Sequence, residues 1–168
     1  MRPHGALPVA ILLLTLCQPA LAQERNAIDV LRGMSLDSLG GIVTVYYSDG
    51  YVDRARRLQQ RYAGAVEFYR DTLAEEFQGG LAVLDPEDWG AFTNSRPYGQ
   101  PHMAFSSWSR HVAVLPATSS EGVMADLVRR LGLGRDDEVT AYVDVIGFHE
   151  FGHALVGKYF YRDLETGR

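Results

Sequence analysis

Cysteine is almost missing from this chain: Cys17 is the single one among 168 residues. Loss of the first 22 residues would leave no thiol at all. That excludes a disulfide, a cysteine nucleophile and a cysteine metal ligand, so any metal must be held by His, Asp, Glu or water. Positive charge is also scarce, with 16 Lys and Arg against 21 Asp and Glu and a net charge of -5. That balance argues against nucleic acid or an anionic membrane as the main partner. No apolar run is long enough to span a bilayer, and neither an internal repeat nor a low-complexity tract occurs. What remains is a globular composition, 46% hydrophobic and 22% charged, sufficient for one domain with its own core.

The chain opens as a leader. Arg2 and His4 form a short polar start, Ala6 to Leu16 is an apolar run of signal-peptide length, and Pro19-Ala20-Leu21-Ala22 supplies a breaker and an Ala-x-Ala site. Residues 1–22 are therefore expected to be a signal peptide cleaved after Ala22, and residues 23–168 the exported domain, periplasmic or extracellular. Leu16 stands where a lipobox has a small residue, which argues against lipid anchoring through Cys17.

Apolar periodicity then divides the chain. Ala27 to Leu39 reads as a short helix or turn, and the β-branched and aromatic run Ile42–Tyr47 as a strand. Tyr51 to Phe77 places Ala55, Leu58, Tyr62, Ala65, Tyr69, Leu73 and Phe77 on one helical stripe. Leu81–Leu84 reads as a buried strand and Glu87–Thr93 as a helical turn. Met103–Ser107 and His111–Leu115 read as a hairpin, and Ser120–Leu131 as an amphipathic helix. Asp136 is placed to cap a last helix over Asp137–Phe160. The expected fold class is α+β: a small mixed sheet with a long backing helix and a second long helix, the helices packed on one face.

The last helix carries His149-Glu150-Phe151-Gly152-His153, a match to His-Glu-x-x-His. Residues four apart share a helix face, so both imidazoles can reach one ion. Zinc takes neutral imidazole nitrogen, and Glu150, beside the first ligand, can accept a proton from a water that the ion acidifies. The flanks are uncharged: Ile146, Gly147 and Phe148 before, Ala154 and Leu155 after. Val139, Tyr142, Val143 and Ile146 are expected on the same face as the histidines. The alternative for the pair is two satisfied core histidines.

In Ile146 to Leu155 the sequence resembles the zincin metallopeptidases. The resemblance implies peptide-bond hydrolysis of a peptide or protein substrate with zinc as cofactor, His149 and His153 as ligands and Glu150 as general base. It also implies that the fold is the upper half of a zincin-like domain, with Tyr51–Phe77 as backing helix and Met103–Ser107 as a substrate-binding edge strand. The metzincin branch requires a Gly and a His where this chain has Val156 and Tyr159, so the likeness is gluzincin-like. A gluzincin draws its third ligand from farther downstream than this sequence extends. Asp163 and Glu165 are the weak candidates here, and His102 and His111 are expected to be surface or edge-strand residues. The domain is therefore expected to be incomplete at its C-terminus, with apolar surface at Ala154, Leu155 and Phe160 left open. The competing expectation is a truncated or degenerate zincin without catalysis, a weak zinc-binding or interaction module.

Overall fold

The computed structural model describes residues 26–73, 79–94, 96–107, 110–133 and 136–166, with the side chains of the last helix described as far as residue 153. The expected signal peptide and residues 108–109 of the expected hairpin lie outside these residues.

In chain order the elements are α1 (Ala27–Gly33), β1 (Asp37–Leu39), β2 (Thr44–Tyr47), α2 (Val52–Leu73) and β3 (Gly80–Leu84). They continue with α3 (Pro86–Thr93), β4 (His102–Ser107), β5 (Arg110–Pro116), α4 (Val123–Arg130) and α5 (Asp136–Thr166). The fold is α+β. One five-stranded mixed sheet runs in the order β1-β2-β3-β5-β4. Strands β2, β3 and β5 are parallel, while β1 and β4 pair antiparallel at the two edges.

The helices do not all lie on one face, as the sequence reading expected. Every residue of β3 is buried, so both of its faces need cover. Leu81 and Val83 join Val45, Leu115 and the α2 residues Ala55, Leu58 and Tyr62 in one cluster. Ala82 and Leu84 join Tyr46, Val112 and Val114 beneath Trp89 of α3 and Leu31 of α1 in the other. Helices α2 and α5 thus cover one side of the sheet, and α1 and α3 the other. Local capping explains the placement of α3: the Asp85 side chain accepts from the Asp88 N–H at 2.9 Å, and Pro86 occupies the first turn, where its missing N–H costs nothing.

Strand β1 is a further difference, because Ala27 to Leu39 shows no strand pattern of its own. It forms by pairing with β2, Leu39 opposite Val45. The amide of Gln59 on α2 reinforces that corner by donating to the carbonyl of Val43 at 2.9 Å, with those of Leu39 and Gly40 each 3.2 Å away.

Helix α5 rests on β5 and β4 and is the element that carries the His-Glu-x-x-His sequence. Among the described residues, no helix is long and apolar enough to cross a membrane.

Candidate metal centre

Helix α5 is held from below by small and aromatic residues four apart. Val139, Val143, Gly147 and Phe151 are buried, and that spacing keeps them on one helix face. Gly147 allows the closest approach. A Cβ built there would stand 2.4 Å from Leu115 Cδ2 and 3.1 Å from Tyr62 Oη, so no larger residue fits at this height over the sheet. Tyr62 of α2 meets Phe151 edge-on at 4.6 Å between ring centroids and Phe148 at 5.3 Å. Burial, and next the Asp144 carboxylate, push the Tyr62 phenol well above its ordinary range.

A buried ion pair adds direction to this packing. Arg54 of α2 donates to Asp144 Oδ1 at 2.7 Å and to the carbonyl of Pro116 at 3.0 Å, and it also bonds Ser119. Ser119 donates to the same carboxylate at 2.9 Å, and Arg61 stands 3.6 Å away. Asp144 therefore locks α5 to α2 and to the end of β5 just before the histidines.

This anchoring points the opposite face of α5 outward. His149 and His153 are both exposed, and Glu150 between them is half-buried. The reading of the pair as satisfied core histidines therefore fails. The Nε2 atoms stand 3.0 Å apart, with ring centroids separated by 4.6 Å and ring planes crossing at 86°. Two nitrogens bound to one tetrahedral zinc at roughly 2.0–2.1 Å would stand about 3.4 Å apart, a small opening from this geometry. The two residues thus fit as two ligands of one ion. Val139 and Val143, expected on the histidine face, are on the buried one, while Tyr142 is exposed beside the histidines and Ile146 is half-buried. At 3.6 residues per turn, the residues four apart that meet the sheet cannot also share the histidines' side.

The other histidines lie elsewhere. His102, at the start of β4, is buried. Its Nδ1 is 3.0 Å from the Gln100 carbonyl, and its ring meets Trp89 edge-on. Burial lowers its pKa. His111 on β5 is also buried. Neither is a surface residue, although His102 does lie on an edge strand as expected, while β5 with His111 is internal to the sheet. No group of three or more His, Cys, Asp or Glu placed to hold a metal occurs among the described residues. The side chains of Asp163 and Glu165 lie outside them, but the backbone there is described. Helix α5 continues unbroken to Thr166, beyond the expected end at Phe160. At about 1.5 Å per residue, position 163 is about 15 Å along the axis from His153. Sequence reading missed the Arg54–Asp144 bond, because nothing local links residues so far apart.

No family model, no curated protein and no solved structure matches this chain.

Proposed function

We propose that the chain is an exported zinc metallopeptidase of zincin type, with His149 and His153 as metal ligands and Glu150 as general base. The observation that carries this reading is the 3.0 Å approach of the two Nε2 atoms on an exposed helix face, above a helix fixed by a buried ion pair. When bound, zinc would supply the positive charge that acidifies a water and polarises a peptide carbonyl. Glu150, half-buried at the rim of the same face, takes the proton of the attacking water and returns it to the leaving amine. Strand β4 is a sheet edge beside α5, which suits a substrate that adds as an extended strand.

The test separates binding from chemistry. Zinc titration of the purified chain is expected to show binding that His149→Ala or His153→Ala removes. Both side chains are exposed, so these variants should keep their fold, with stability changed by only about 0.5 kcal/mol. Glu150→Gln should keep the metal and lose casein hydrolysis by several orders of magnitude. Equal hydrolysis by Glu150→Gln would remove Glu150 from the mechanism.

One observation favours a second reading, a zinc-binding module without catalysis: no third ligand stands beside the pair among the described residues. Zinc binding with no chelator-sensitive hydrolysis would select it.

A further inference from the structure

A cavity of about 290 Å³ lies between α1, α3 and β4. It belongs to the α1 and α3 side of the sheet, because Phe92 and Ala104 on its wall also pack against the cluster around Trp89. Helix α2 and the histidine-bearing α5 cover the other side. The volume matches about ten waters at about 30 Å³ each. It therefore admits a molecule of about ten non-hydrogen atoms, at the small end of ligand pockets.

Three polar side chains on this wall have bonding capacity to spare. His102 is buried, and its Nδ1 stands 3.0 Å from the Gln100 carbonyl. A carbonyl only accepts, so Nδ1 holds the ring proton and Nε2 is left as an acceptor. Burial favours that neutral ring, and the charge of Arg96 acts in the same direction. The Thr93 hydroxyl is buried with no hydrogen-bond partner among the described residues. An orphaned hydroxyl of this kind costs the fold until something bonds it. Arg96 is exposed and forms no ion pair among the described residues.

These groups define a complement. The cavity is lined by one cation and by no acidic residue, which suits a ligand with a single negative charge. A guanidinium fits a carboxylate best, through two parallel bonds. The neutral imidazole needs a donor and the threonine hydroxyl takes either partner, so one ligand hydroxyl serves both. An ammonium in that place would meet the charge of Arg96 with no carboxylate on the wall to offset it. Phe92, Met103 and Ala104 leave an apolar surface for the rest of the molecule.

We propose that this cavity binds a small hydroxycarboxylic acid with an apolar tail. Its carboxylate meets Arg96, its hydroxyl lies between His102 Nε2 and Thr93 Oγ1, and its tail rests on Phe92 and Met103. The site shares no residue with the histidine pair and does not depend on the zinc reading.

The experiment is calorimetric titration of the purified chain with α-hydroxyisocaproate, isocaproate and leucine, with backbone amide NMR shifts to locate the site. The hydroxy acid is expected to bind with a Kd of about 1 mM or below and to shift Phe92, Arg96 and His102. Isocaproate, which lacks the hydroxyl, and leucine, which has an ammonium in its place, should bind at least about tenfold more weakly. Arg96→Gln, at an exposed position, should weaken the hydroxy acid at least about tenfold, and the near-isosteric Thr93→Val about fivefold. No heat and no shifts at millimolar hydroxy acid would overturn the site. Leucine or isocaproate binding as tightly would overturn the place given to the hydroxyl. Unchanged affinity in Arg96→Gln would overturn the place given to the carboxylate.

Discussion

Arg54 and Asp144, 90 positions apart, meet at 2.7 Å beneath the histidine-bearing helix α5, each side chain only about one-tenth exposed. Neither partner can be removed without leaving the other charge in a poorly solvated place. Asp144→Asn is expected to cost about 3–5 kcal/mol. Replacing both, Arg54→Met with Asp144→Leu, should cost much less, because no charge is then stranded. Urea denaturation of the single and double variants measures this, and strictly additive losses would sink the argument.

Gly147 sets the height of α5 over β5. Gly147→Ala forces a Cβ into Leu115 Cδ2 at 2.4 Å, and overpacking of this kind costs about 1–3 kcal/mol. Leu115→Val in the same chain removes part of the obstruction and should recover part of the loss, a coupling visible in a double-mutant cycle. A Gly147→Ala variant as stable as the parent would mean that the helix can lift without cost.

Among the described residues the buried Tyr62 hydroxyl has no hydrogen-bond partner, and an unsatisfied buried polar group costs about 1–3 kcal/mol. Tyr62→Phe keeps the ring edge-on against Phe148 and Phe151 and is expected to be neutral or stabilising by about 1 kcal/mol. Calorimetry gives the answer. A clear drop in Tm would show that the hydroxyl has a role that its surroundings do not reveal.

His102 confers a pH dependence of definite sign. Its burial lowers the folded pKa below the ordinary value, so the folded state favours the neutral ring. The stability this confers is whole above the unfolded pKa of about 6.5 and is lost as pH falls through the folded value. The parent chain should therefore weaken below about pH 6.5 more steeply than His102→Gln. Denaturation midpoints between pH 7.5 and about pH 5 compare the two, and parallel curves would remove His102 as the cause.

The long helices were legible because their signal is repeated. Apolar residues at helical spacing mark α2: six of the seven expected on the stripe lie in Val52–Leu73, and Phe77 lies outside the described residues. The alternating and β-branched runs marked β2, β3, β4 and β5 within a residue or two. Strand β1 carried no such signal, since Asp37–Leu39 is too short to show a period and exists by pairing. The layer on the far side of the sheet was missed for a related reason. A continuous apolar run such as Leu81–Leu84 shows burial but does not say what covers each face.

The sequence by itself determined that His149, Glu150 and His153 share one helix, because a five-residue motif within a long apolar-periodic segment needs only helical geometry. It also determined that residues 23–168 contain no cysteine. Tertiary structure alone decided which way that helix faces. Val143 and Tyr142 are both apolar neighbours in sequence, and only the contact of Gly147 with Leu115 and the bond of Asp144 to Arg54 turn one inward and the other out. Those contacts join residues tens of positions apart. Local periodicity carries no record of them, so the outward presentation of the two imidazoles follows from packing rather than from the motif.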